Sequence, residues 1–251
     1  MKSIDLNCDM GESYGAWEMG RDAELMKFVS SVNIACGFHA GDATVIRKTV
    51  ENAILNNVAI GAHPGFPDLQ GFGRRDMKLS AQEIFDIVLY QISAIKGICE
   101  ALGAKLHHVN PHGALYNQAG KNADFSKAIA DAVLKIDQDL IFYGISGSFL
   151  ISEAENLGLK TASEVFADRT YSTDGTLTPR NQPNALIDDP AIAARQVLEM
   201  INNHVVTAND GTKVRVKAET ICIHGDGENA LEFAKRINEE LKASGIKIER
   251  L

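Results

Sequence analysis

One arrangement recurs along the chain: a short apolar run rich in β-branched residues stops abruptly at a polar cluster containing glycine or proline. Val32-Asn33-Ile34-Ala35-Cys36 leads into Gly37-Phe38-His39-Ala40-Gly41-Asp42, and Val58-Ala59-Ile60-Gly61-Ala62 leads into His63-Pro64-Gly65. Leu106-His107-His108-Val109 precedes Asn110-Pro111-His112-Gly113, and Thr220-Ile221-Cys222-Ile223 precedes His224-Gly225-Asp226-Gly227. Ile4-Asp5-Leu6-Asn7-Cys8-Asp9 opens the series with acids in place of the histidine. Short apolar runs bounded by turn signals read as strands buried on both faces, the condition of a parallel sheet covered by helices. Parallel neighbours send their C-terminal ends to one rim, where folds of this kind hold their sites, so imidazoles, carboxylates and glycines are expected to converge there.

Helical patterns separate the runs. Val45, Ile46, Thr49, Val50, Ala53 and Ile54 share one face of a helix over 42–57, and Ser80-Ala81-Gln82-Glu83 is a capping box opening another that Gly103 ends. Strands over 105–109, 140–145 and, briefly, 159–162 alternate with helices from Asp124, from Ser148 and from Asp188-Asp189-Pro190 to Asn202. Asn209-Asp210-Gly211 reads as a hairpin turn, followed by a buried strand over 220–223, a helix over 228–242 and a last strand over 246–248. The alternation predicts an α/β fold, an irregular parallel (β/α) barrel of about seven strands, occupying residues 1–251 as one domain. The number of βα units favours a barrel over an open sheet.

Composition narrows the partners. A formal charge of −8 over 251 residues argues against nucleic acid and against an anionic membrane, and for a small-molecule substrate. Neither a secretory leader nor an apolar stretch of ~18 residues is evident, so a cytoplasmic location is expected. Cys8, Cys36, Cys99 and Cys222 show no Cys-x-x-Cys spacing and read as buried, reduced thiols.

Two stretches, 63–78 and 164–186, break the alternation and carry Arg74, Arg75, Arg169 and Arg180. Loops of that length are commonly lids or binding loops, and guanidinium forks suit a carboxylate or phosphate, Arg169 above all because Glu164 and Asp168 precede it. Opening an amide needs an activated water, stabilisation of an oxyanion and a proton for the leaving nitrogen. Histidine and aspartate supply these directly, or hold a metal that acidifies its water. Without His-x-x-x-His spacing, Asp9, His39, His63 and His112 become metal ligands only through the fold. Asp42 suits either a helix N-cap or a functional acid. No phosphate loop occurs, so a bound triphosphate needs an unfamiliar site or a partner's. His107 and His108 face opposite sides of a strand, in the core or the outer layer, and His204 is expected at the surface.

Taken together, Asp5-Leu-Asn-Cys-Asp-Met-Gly-Glu12, Asn33-Ile-Ala-Cys-Gly-Phe-His-Ala-Gly-Asp42, Gly61-Ala-His-Pro64, Gly71-Phe-Gly-Arg74, Pro111-His-Gly-Ala-Leu-Tyr-Asn117, Glu164-Val-Phe-Ala-Asp-Arg-x-Tyr171, Asp174-Gly-x-Leu-x-Pro-Arg180 and His224-Gly-Asp226 resemble the LamB/YcsF family over nearly the whole chain. The resemblance implies a barrel similar to the glycoside hydrolase/deacetylase superfamily. It also implies ATP-dependent opening of 5-oxo-L-proline to L-glutamate, with ADP and phosphate formed, in a 5-oxoprolinase completed by partner subunits B and C. The motif positions it carries over are Asp5, Asn7, Asp9, Glu12, His39, Asp42, His63, His112, Glu164, Asp168, Arg169, Arg180, His224 and Asp226. Asp9, His39, Asp42, His63 and His112 are the expected catalytic set. Asn7, Glu12, Arg74, Glu164, Asp168, Arg169, Arg180, His224 and Asp226 are the expected substrate contacts. One departure stands out: the family motif reads Lys-Pro-His-Gly, and this chain has Asn110. Two other readings use the same residues, a stand-alone metal-dependent amidohydrolase or carbohydrate deacetylase, and a non-enzymatic binding subunit.

Overall fold

Seven parallel strands close into a ring in the computed structural model, which describes residues 2–225, 227 and 229–251. In chain order the elements are β1 (Ser3–Met10), α1 (Asp22–Leu25), β2 (Ser31–Ala35), α2 (Ala43–Leu55), β3 (Ala59–His63), α3 (Ala81–Ala101), β4 (Leu106–Val109), α4 (Gly113–Gly120), α5 (Ala123–Ile136) and β5 (Ile141–Ile145). Then come α6 (Phe149–Asn156), β6 (Lys160–Phe166), α7 (Pro190–Asn203), β7 (Val205–Thr207), β8 (Lys213–Arg215), β9 (Thr220–Ile223), α8 (Ala230–Ala243) and β10 (Lys247–Ile248). The ring runs β1-β2-β3-β4-β5-β6-β9 and closes where Asp5 to Cys8 pair with Thr220 to Ile223. β10 extends the start of β1, while β7 and β8 form the antiparallel hairpin expected around Asn209-Asp210-Gly211. This is the (β/α) barrel that the strand count favours, with all seven exits on one rim.

Alternation along each strand sorts side chains between two environments. Leu6, Cys8 and Met10 of β1, Val32 and Ile34 of β2, and Ile221 and Ile223 of β9 are buried with Ile46 and Val50 of α2 and Ile84, Val88, Ile92 and Ile95 of α3 in one hydrophobic core. All four cysteines are buried and free, as their spacing suggests. The helix starts follow their sequence signals: Ser80 and Glu83 form the capping box of α3, and Pro190 opens α7 behind the Asp189 cap. No helix among the described residues is long and apolar enough to cross a membrane.

Facing the axis, the barrel is polar. Asp5 accepts hydrogen bonds from Ser30, Ser31 and Thr220 at 2.7, 2.6 and 2.6 Å and from Tyr143 at 3.0 Å, donors enough to hold a carboxylate away from water. Above it, Asn7 Nδ2 donates to Thr220 and Glu164, and Asn33 Nδ2 donates to Asn7 and Asp9. His108 fills the remaining space, its Nε2 2.8 Å from Asn33 Oδ1 and its ring stacked on Tyr143.

That ring sits where Gly61 has no side chain: a Cβ there would lie 2.1 Å from His108 Nε2, at the point where β3 and β4 shift register. Gly61→Ala is therefore expected to evict His108 and lower stability by about 3 kcal/mol. Urea unfolding of the two proteins at equal pH checks this, and a loss within experimental error would mean the ring can move aside.

Two departures from the expected pattern affect the site. β6 continues through Phe166, so Glu164 is a strand residue facing the axis rather than the first residue of a loop. α4 follows His112 immediately; Gly113, at φ +56°, and Gly120 bracket it and make its sequence look like a turn. Glu228, the expected start of the last helix, lies outside the described residues.

Candidate active site

His63 ends β3, His112 is the N-cap residue of α4, Asp9 lies near the exit of β1, and His39 occupies the turn after β2. The fold brings these distant segments together. His63 Nε2 lies 2.9 Å from His112 Nδ1 and 3.4 Å from Asp9 Oδ2, and the His39 ring stacks on His112 with centroids 3.8 Å apart. Glu12, just beyond β1, reaches the same cluster: its Oε1 is 3.8 Å from both His39 Nε2 and His112 Nδ1. Glu12, His39, His63 and His112 each present a ligand atom within 4.8 Å of the others. The sequence points to Asp9 as the fourth member of a metal set; the geometry brings Glu12 into that radius.

Backbone glycines press on these rings. A Cβ on Gly65 would come within 2.6 Å of His39 Nδ1, and one on Gly73, at φ +63°, within 2.8 Å of His112. Burial opposes ionisation of both Asp9 and His63, but their mutual attraction overcomes it. Asp9 is held below the usual carboxylate range and His63 is pushed above the ordinary imidazole value. His39 and His112, pushed well down by burial and by the neighbouring rings, are neutral.

Glu164 is fully enclosed. Its Oε1 accepts from Asn7 at 2.9 Å and Asn110 at 2.7 Å, and its Oε2 from the Tyr116 hydroxyl of α4. Desolvation outweighs those three donors, with the Asp9 charge adding to it, and the carboxyl is raised to about 7. Asn110 has a second duty: its backbone carbonyl lies 2.6 Å from His63 Nδ1.

Past β9, His224 Nδ1 is 2.9 Å from both carboxylate oxygens of Asp168. Burial would raise Asp168, but His224 and Arg180 outweigh it and hold the acid below its ordinary value. Around the ring β9 stands three strands from β3 and three from β4, so His224 approaches from the far side of the mouth.

Between these groups lies a cavity of about 580 Å³ lined by Asp9, His63, His112, Glu164, His224 and Cys222, and also by the exposed Arg74 and Arg180 and the buried Arg169. Arg74 lies over the Phe72 ring. Arg169 departs from a solvent-facing fork: it is 4% exposed and donates to the backbone carbonyls of Thr178 and Ala185, pinning the segment that covers the cavity. Asp42 takes the first of its two possible roles: it stands outside the cavity lining, where its carboxylate caps α2 through Thr44 and Val45 and accepts from Gly15 N. Asp226 lies outside the described residues.

Tyr116, Asn33 and His108 also serve the site, although no motif chemistry in the sequence singles them out. A buried asparagine inside an otherwise apolar strand is the available signal for Asn33. His204 is exposed, and His107 is half-buried but does not take the opposite face of β4: the register shift against β3 leaves its ring beside that of His108, Nδ1 to Nδ1 3.1 Å and centroids 5.3 Å apart.

Comparison with known proteins gives concordant relatives. The model of the LamB/YcsF family matches residues 4–251. The A subunit of 5-oxoprolinase from Tolumonas auensis is 55% identical over 251 residues, covering all of both chains. The crystal structure of a lactam utilization protein from Thermus thermophilus has a TM-score of 0.94 at 45% identity, again over the whole of both chains. A family 4 carbohydrate esterase from Streptomyces lividans, in complex with acetate, has a TM-score of 0.51 at 14% identity, covering 98% of this chain and 91% of its own, a likeness of fold alone.

Proposed function

The chain belongs to the LamB/YcsF family, and from that premise we propose that it is the lactam-opening subunit of an ATP-dependent 5-oxoprolinase, converting 5-oxo-L-proline to L-glutamate with partner subunits B and C. The observation that carries this reading is the cavity. A small polar substrate fits within it between two proton-handling groups, the Asp9–His63–His112 cluster and the Asp168–His224 pair.

Hydrolysis adds hydroxyl to the lactam carbonyl carbon and a proton to the ring nitrogen as the C–N bond breaks. Asp9 takes the proton of the attacking water, which the His63 and His112 rings hold in place beside it. His224, oriented by Asp168 through Nδ1, turns its other nitrogen to the cavity and protonates the departing nitrogen. Arg180 and Arg74 line the mouth and recruit the substrate carboxylate, while Arg169 keeps the covering segment in place. An unstrained five-membered lactam opens reluctantly in water, which gives the coupling to ATP hydrolysis its purpose. The sequence lacks a phosphate loop, so ATP is consumed by the assembled complex.

The test combines this chain with its two partners, 5-oxo-L-proline and ATP, and measures glutamate and phosphate. Glutamate release that needs all components is expected; none above background, with all three proteins soluble, overturns the proposal. Arg180→Ala is expected to raise KM for the lactam about 30-fold with a smaller effect on kcat, as loss of a charge-assisted contact to a substrate carboxylate should. The deacetylase reading draws on a likeness of fold alone.

A further inference from the structure

Proton bookkeeping around the histidine cluster leads to a second kind of ligand. His63 Nδ1 faces the Asn110 carbonyl at 2.6 Å, and His112 Nε2 faces the Phe72 carbonyl at 2.8 Å. Carbonyl oxygens only accept, so both nitrogens carry hydrogen. The remaining nitrogens, His63 Nε2 and His112 Nδ1, then point lone pairs at each other across 2.9 Å in the neutral rings. Two lone pairs at that distance repel unless something electron-poor stands between them. Nearby, His39 is fully buried and neither of its ring nitrogens has a hydrogen-bond partner among the described residues. Buried polar nitrogens are ordinarily satisfied, and two on one ring mark a missing counterpart.

We propose that Glu12, His39, His63 and His112 form a binding site for one divalent transition-metal ion of the zinc type. Three imidazoles and one carboxylate are a donor set that selects Zn²⁺, Co²⁺ or their neighbours over Mg²⁺ and Ca²⁺, which prefer all-oxygen sites. The Asn110 and Phe72 carbonyls are the outer partners that fix ring tautomer and orientation in metal-bound histidines. Asp9, 3.4 Å from His63 Nε2, adds a second negative charge beside the ion. The four ligands come from three strand exits and the N-terminus of α4, which is why no ligand spacing is visible in the sequence. A single proton on His63, attracted by Asp9, is the competing occupant of the gap, but it leaves both His39 nitrogens without a partner, where an ion takes one of them. A bound ion would supply Lewis acidity and an acidified water on the wall of the cavity. The inference stands on ring geometry and not on the proposed activity, so the two fail separately.

The whole chain, purified without chelator, stripped and dialysed, is titrated with Co²⁺ while visible d–d absorption is followed, and with Zn²⁺ in competition with a chromogenic chelator. About one equivalent per chain is expected, with a rise in Tm of about 5 °C at saturating Zn²⁺. His39→Ala and Glu12→Gln should each weaken Zn²⁺ at least about 10-fold while keeping the far-ultraviolet dichroism of the folded chain. The glutamine variant is nearly isosteric, so it reports even if His39→Ala fails to fold. Absence of d–d bands and of any Tm shift overturns the site, as does undiminished binding in folded Glu12→Gln and His39→Ala.

Discussion

Asp168→Asn is expected to leave the fold intact and to lower kcat of the assembled complex by about 10³-fold, with little change in KM. The reason lies in what each side chain accepts. Both oxygens of Asp168 lie 2.9 Å from His224 Nδ1, and Oδ2 also accepts the His224 backbone N–H at 3.3 Å. An ionised carboxylate is an acceptor only, so Nδ1 carries the hydrogen and the other ring nitrogen faces the cavity with the proton it exchanges with substrate. An asparagine amide offers one acceptor oxygen where two are in use, and its NH₂ can donate to Nδ1 and invert the tautomer. It also removes the negative charge that faces the ring while a proton passes through it. Arg180, whose charge reaches Asp168, keeps its guanidinium in the variant, so KM is expected to move far less than kcat. Steady-state kinetics with both partners present, beside circular dichroism of the variant, checks the expectation. An unchanged kcat would remove His224 from proton transfer and leave the pair a structural tie between β9 and the segment after β6.

The strands are easy to read in the sequence and the barrel's filling is not, and both facts have one physical cause. Strands pressed between an inner layer and an outer ring of helices look like apolar runs, so the exits carrying His39, His63, His112 and His224 announce themselves. The inner layer here is polar, and an inward Asn, His or Glu interrupts a run in the same way that a loop does. Glu164 shows the consequence: Ala162-Ser163-Glu164 reads as the end of a strand, while in three dimensions Glu164 points to the axis and is 1% exposed. The place of His108 depends on the absence of a side chain at Gly61, a relation between strands that no single segment contains. Arginines in long loops look alike in sequence, yet Arg169 is buried and donates to backbone carbonyls while Arg180 is exposed, although both line the cavity. Glu12 and Asp9 are three residues apart, and only the turn of chain after β1 decides which carboxylate meets His39.

The second large effect concerns Glu164, and it bears on the asparagine that replaces the lysine of the resembled motif. The carboxyl is raised from 4.5 to about 7 by burial, and each unit of such a shift corresponds to about 1.4 kcal/mol. A carboxyl whose folded pKa lies above its unfolded value favours the folded state fully below the unfolded pKa, and that contribution is lost as pH rises through the folded pKa. Between pH 4.5 and 7, Glu164 therefore withdraws about 3 kcal/mol of stability. Glu164→Gln keeps an oxygen for Asn7 and Asn110 and carries no charge, so urea unfolding at pH 5 and pH 8 should show the wild type losing about 3 kcal/mol relative to the variant. Asn110→Lys tests the same charge from the other side: Asn110 Nδ2 lies 2.7 Å from Glu164 Oε1, and an ammonium group there would stabilise the ionised carboxyl and flatten that pH dependence. Parallel curves for wild type and Glu164→Gln would mean the carboxyl is ionised throughout the range, and that Asn110 and Tyr116 already do for it what a lysine would.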